Sequence, residues 1–103
     1  MSKNLKMCTL LDCYGKLLSD NQRIFAECYY NEDLSLAEIA ENEGITKQGV
    51  RDSIKRAEAQ LEEVEQKLGI VRKSKALKEL ARTCRQDATE NNFAMLFDAI
   101  DNL

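Results

Sequence analysis

The stretch that leaves this chain the fewest choices runs from Leu36 to Val50 and turns on one glycine. Before the glycine, Leu36, Ile39 and Ala40 share one face of a short helix. Ser35 precedes that helix and Glu38 follows three residues later, a capping-box pattern in which each side chain satisfies a backbone N–H of the other. After the glycine, Thr46 is a good N-cap, and Val50 and Ile54 begin the buried seam of another helix. Gly44 lies between the two, where a chain leaving a helix needs positive φ. Ala40 is small where two crossing helices approach, and Ile45 is placed to plug the corner. Two helices crossing at a wide angle through a tight turn form a helix-turn-helix. An ordinary helical hairpin would not require this set of small, glycine and plug positions.

The rest of the chain has the same helical character. Proline is absent, glycine occurs four times, and residues that lose little entropy in a helix dominate. Met7, Leu10, Leu11, Tyr14, Leu17 and Leu18 predict a first helix over about residues 3–18. Ser19 and Gln22 form another capping box, opening a second helix that runs to about Tyr30 with Ile24, Phe25, Cys28 and Tyr29 inward. In the fourth helix, Val50, Ile54, Ala57, Leu61, Val64 and Leu68 recur at steps of four and three, a heptad seam. That seam outlasts what a DNA-reading helix needs, so its second half must pack on the first helix or on a second subunit. Gly69 reads as its stop, and residues 70–75 read as a basic joint. Leu77, Leu80, Ala81, Cys84 and Ala88 give a fifth amphipathic helix, with Lys73, Lys75, Lys78, Arg82 and Arg85 on its polar face. Residues 89–92 break the pattern, and Phe93, Leu96, Phe97, Ile100 and Leu103 give a last short helix.

The expected architecture is therefore all-α: a helix-turn-helix domain over residues 1–70 with an elongated fourth helix, and a helical extension over 71–103. A chain of 103 residues fits one modest core plus such an extension. No apolar run approaches the roughly 20 residues that cross a bilayer. The N-terminus has neither a long apolar stretch nor a small-residue cleavage site. Both absences point to the cytoplasm.

Charge is distributed unevenly. The formal net charge is −3, which counts against indiscriminate binding of nucleic acid. Residues 46–57, however, carry four bases and one acid, between a preceding segment with four bases and eight acids and a following one (58–69) with one base and four acids. The concentrated positive charge falls on the helix after the turn. Lys47, Gln48, Arg51, Asp52, Lys55 and Arg56 face away from the Val50/Ile54 seam and form the candidate DNA-binding set. Lys47 and Gln48 sit at the N-terminus of the helix, where side chains and free N–H groups reach bases and phosphate. Gln48 suits adenine and Lys47 suits guanine. Arg51, Lys55 and Arg56 are better placed as phosphate clamps. Asp52 has two readings, an acceptor for cytosine or an intrahelical partner of Lys55 and Arg56. One acid among four bases fits local balance better.

The segments LSDNQRIFAECYY and LSLAEIAENEGITKQGVRDSIKRAE resemble the fourth conserved region of bacterial sigma factors. With KMCTLLDCYGKLLS before them and QLEEVEQKLG after, they are similar to the YlxM-type family, to which DNA binding is ascribed. The resemblance covers about residues 5–70. It implies a sigma-region-4-like helix-turn-helix without the other sigma domains, and a regulatory role in the signal recognition particle pathway, beside whose genes the family's genes stand. It also implies that Lys47, Gln48, Arg51 and Asp52 occupy base-facing positions. One departure is Glu43, where a large apolar residue usually precedes the turn glycine, leaving the last turn of the third helix less sealed. Residues 71–103 are read from periodicity alone.

Nothing here supports catalysis. There is no histidine, no glycine-rich phosphate loop and no nucleophile–base pair at usable spacing. Cys8, Cys13, Cys28 and Cys84 form no C-x-x-C pair and read as buried free thiols, so no metal or cofactor is expected. The expected partner is double-stranded DNA. The rival reading is an adaptor that binds the RNA or a protein of the signal recognition particle through the basic fifth helix or the heptad seam. A homodimer would double the contacts of a single small helix-turn-helix. Leu61, Val64 and Leu68, or the apolar C-terminal helix, could supply its interface, and both could equally be intramolecular core.

Overall fold

The computed structural model describes residues 4–103. Within them the regular structure is helical, and no strand occurs among the described residues. The chain divides into two compact units, one ending at Leu68 and the other spanning Gly69–Leu103.

In the first unit, helix α1 (Leu5–Tyr14) opens on Asn4, whose side-chain oxygen accepts from the N–H groups of Lys6 and Met7. It buries Met7, Leu10, Leu11 and Tyr14, the stripe read from the sequence. It ends earlier than residue 18, because Gly15–Leu17 tighten into a 3-10 turn and leave Leu17 exposed. Residue 3, where the helix was expected to begin, lies outside the described residues. Helix α2 (Asp20–Tyr30) carries the full Ser19/Gln22 capping box. Phe25 and Ala26 are its buried residues, and Cys28 and Tyr29 are half-buried. Ile24 faces solvent at 40% exposure, contrary to expectation, because α2 turns the Phe25/Ala26 side to its neighbours.

Helix α3 (Leu36–Glu43) carries the full Ser35/Glu38 capping box and buries Ile39 and Ala40. Helix α4 (Lys47–Leu68) is the support of the unit: α1, α2 and α3 all pack on it. At 1.5 Å per residue it is about 33 Å long. It buries Val50, Ser53, Ile54, Ala57 and Leu61. Beyond Leu61 the seam fades, with Val64 half-buried and Leu68 49% exposed. α1 takes the second half of the seam, and Tyr14 of α1 donates its hydroxyl to Glu65 Oε1 at 2.5 Å. Phe25, Ile39, Ala40, Val50 and Ile54 form one core cluster, so α2, α3 and α4 meet where the turn must be held.

Gly69 ends α4 with φ of 64°. The basic joint expected over residues 70–75 is instead the first part of helix α5 (Ile70–Gln86). Lysine, arginine and serine do not break a helix, and a single left-handed residue suffices to separate the two helices. α5 packs on α6 (Glu90–Asp101), which starts at Thr89, whose side chain accepts from the Asn92 N–H at 3.1 Å. α6 buries no residue completely: Leu96 is half-buried, while Phe93, Phe97, Ile100 and the following Leu103 are exposed. The cysteines are free as expected, but only Cys84 is buried, and Cys13 is exposed.

Candidate nucleic-acid interface

The turn is built from local bonds. Gly44 has φ 70° and ψ 30°, the left-handed region, and both its N–H and that of Ile45 donate to the Ala40 carbonyl. Any other L-residue there would bring Cβ against its own backbone, at about 1–2 kcal/mol. Thr46 then caps α4, its side-chain oxygen accepting from the Gly49 N–H at 3.0 Å. Ile45 does not plug the corner as expected. It is 43% exposed and lies over Gly49, its Cδ1 only 3.8 Å from where a Cβ on that glycine would sit. The same Cβ would stand 3.1 Å from Thr46 Oγ1. The absent side chain at Gly49 thus lets the cap and Ile45 close over the start of α4. Nothing in the periodicity marks this role, since a glycine inside a helical pattern reads only as a weak helix former.

Lys47, Gln48, Arg51, Asp52, Lys55 and Arg56 are all exposed. Gln48, Asp52 and Lys55 stand away from the buried seam of α4, and Arg51 and Arg56 flank it; Lys47 does not face away as expected, because it lies in the register of the seam one turn before Val50, where burial has not yet begun. Residues four apart stack on a helix, so they fall into two neighbouring stripes. Lys47, Arg51 and Lys55 form a purely basic one. Gln48, Asp52 and Arg56 form a mixed one, in which Gln48 Nε2 donates to Asp52 Oδ1 at 3.0 Å. The intrahelical partner of Asp52 is therefore Gln48, not Lys55 or Arg56, because the amide lies one turn back and bonds the carboxylate directly. This bond orients the Gln48 amide. It leaves one N–H and the carbonyl oxygen, the donor and acceptor that the major-groove edge of adenine requires.

The first turn of α4 runs against its own helix dipole. α2, α3 and α6 each carry an acid in the first turn, where it complements the helix dipole. α4 carries none and begins with Lys47. Farther along, the basic surface gives way to acids. A shallow depression of about 440 Å³ beside α1 is lined by Asn4, Met7, Lys55, Glu58, Ala59 and Glu62. Glu58 and Glu65 are half-buried and accept the hydroxyls of Tyr30 and Tyr14, respectively. These bonds fasten α2 and α1 to α4, with Gln60 Nε2 adding a bond to the Leu17 carbonyl at 3.2 Å. They are positioning contacts absent from the sequence reading. The one available signal was Tyr14, a hydroxyl set in an otherwise apolar stripe, which needs a polar partner when buried; Tyr30 lay outside the inward set expected for α2. Burial, reinforced by the Glu58 bond, raises the pKa of Tyr30 well above the ordinary tyrosine value.

Glu43, before the turn glycine, is exposed. Its neighbourhood includes the half-buried Cys28, whose thiol is pushed from 9.0 up to about 11 by burial, by a hydrogen bond with Glu32 and by the charges of Glu32, Glu43 and Glu27. No group of His, Cys, Asp and Glu among the described residues is arranged to hold a metal ion. No helix among them is long and apolar enough to cross a membrane.

This geometry agrees with what the chain is similar to. A family profile described as "Putative helix-turn-helix protein, YlxM / p13 like" matches residues 1–100. A UPF0122 protein of Halalkalibacterium halodurans is 39% identical over 107 aligned residues, covering 100% of this chain and 98% of that protein. One from Bacillus cereus is 41% identical over 90, covering 87% of this chain and 82% of its own length. Another, from Desulforamulus reducens, is 53% identical over 68, or 66% of this chain and 58% of that protein. The likeness is thus not confined to residues 5–70: the family profile takes in α5 and nearly all of α6. The chain belongs to the UPF0122 family of YlxM/p13-like helix-turn-helix proteins.

Proposed function

We propose that this protein is a DNA-binding regulator that acts in the cytoplasm, in the signal recognition particle pathway, and reads double-stranded DNA with the N-terminal half of α4. Residues 1–70 carry that contact, and two copies grip a two-fold site. The observation that carries the reading is the exposed basic stripe Lys47–Arg51–Lys55 beside Gln48, standing just past a left-handed glycine, where a recognition helix enters the major groove. Lys47 and Gln48 contact base edges, and Arg51, Lys55 and Arg56 hold phosphates. Asp52 orients Gln48 through their shared hydrogen bond.

The test is selection of bound fragments from a random DNA pool, with signal recognition particle RNA as competitor. Enrichment of a defined duplex supports the reading. On that duplex, Arg51→Ala and Lys55→Ala should each weaken binding evenly across sequences and lower the salt slope by about 1. A second reading is favoured by Lys75, Lys78, Arg82 and Arg85, which are exposed on one face of α5: an adaptor that binds the particle's RNA or a protein. If no duplex is enriched, the RNA is retained, and only substitutions at Lys78, Arg82 and Arg85 weaken its binding, the second reading replaces the first.

A further inference from the structure

The unit Gly69–Leu103 has a surface that its own fold does not cover. Cys84 is its one buried side chain among the described residues. α6 leaves Phe93, Met95, Phe97 and Ile100 exposed, Phe97 at 58%. The unit is also shorter than the about 40 residues below which a domain folding by itself usually needs a disulfide, a metal or another subunit. Its cysteine is free and its residues offer no metal cluster.

Charge indicates what covers the face. Asn92, Leu96 and Ala99 are the half-buried residues of α6, which sets the side it turns to α5. By helical register, Phe93, Phe97 and Ile100 lie beside that side, and Glu90, Asp98 and Asp101 lie beyond them, away from α5. α6 has those three acids and no base, whereas α5 has six bases and one acid. Lys75, Lys78, Arg82 and Arg85 share one face of α5. Each hairpin thus presents both halves of a complementary pair, which a two-fold axis would match to each other.

We propose that the Phe93/Phe97/Ile100 face of α6 docks on the hairpin of a second copy of this chain, two-fold related. The four helices form a bundle in which the acidic edge of α6 lies along the basic face of α5 from the other copy. The inference rests on the two-copy reading above and supplies its interface. An apolar face closed by complementary charge at its rim is the usual anatomy of a stable subunit contact.

Sedimentation equilibrium of the full chain tests it. The protein should dimerise, and Phe97→Glu should weaken the dimer by about 30-fold or more, the loss of a central aromatic anchor. Asp98→Lys with Asp101→Lys should weaken it as well, and adding Lys78→Glu with Arg82→Glu should restore it, a rescue that a folding defect would not show. In the unsubstituted protein, amide exchange in α6 should slow as concentration rises. A dimer indifferent to all of these changes overturns this interface and leaves the two-copy reading standing. A chain that is monomeric at every concentration, with or without DNA, overturns both.

Discussion

At the scale of single residues, Cys28 links packing to pH. Its thiol is neutral when protonated, and burial together with the neighbouring glutamates holds that proton to about pH 11, against 9.0 ordinarily. Between those values the folded chain binds more protons than the unfolded chain, so stability falls as pH rises. The contribution is complete below about pH 9 and is lost through the window ending near 11. Tyr30, raised for the same reason, adds to the decline above pH 10. Urea unfolding at stepped pH should show this fall, and Cys28→Ser should flatten it between pH 9 and 11. Equal slopes for the two proteins would mean that the thiol is not held in this environment. The identities at such positions were visible in the sequence, but their surroundings were not. Cys28, Glu32 and Glu43 come together only after α2 and α3 fold. The Tyr14–Glu65 bond joins residues 51 positions apart.

At the scale of elements, what could be read was what is local. Ser19 with Gln22, and Ser35 with Glu38, bond within one turn, so their spacing alone placed the starts of α2 and α3. Gly44 ended α3 because left-handed backbone favours glycine whatever surrounds it. The start of α5 is less legible, because the bases of residues 70–75 suit a linker by charge while their helix propensity continues the helix. Ile24 and Leu68 were misplaced for a different reason: periodicity marks a face but not how far a neighbouring helix covers it. If α4 reads DNA as proposed, it also carries a conflict between stability and use. Lys47 stands at the positive end of its own helix dipole, and its replacement by an acid would remove that repulsion. Lys47→Glu should therefore raise stability by about 0.5 kcal/mol while abolishing tight DNA binding. Thermal unfolding and a binding titration on the same preparation check the pair of outcomes. A variant that loses stability, or that binds DNA unchanged, would refute the assignment.

At the scale of the molecule, the division at Leu68 separates two ways of reaching stability. The core residues from Met7 to Leu61 all lie in the first unit, and the bonds that hold α1 and α2 on α4 also close within it. That unit thus has a core cluster of its own. The second has amphipathic helices and a satisfied cap at Thr89 but almost no interior. A two-helix hairpin with one buried side chain cannot offset the roughly 1–2 kcal/mol per residue that backbone ordering removes. A fragment ending at Leu68 should thus unfold cooperatively at a midpoint independent of its concentration, and should stay monomeric. A peptide spanning 69–103 should be largely unstructured when dilute and gain helix on concentration, since only association can bury Phe93, Phe97 and Ile100. Circular dichroism over a dilution series distinguishes the two behaviours. A dilute peptide that is already helical would mean that the hairpin is stable by itself, and its apolar face would then need no second copy to explain it.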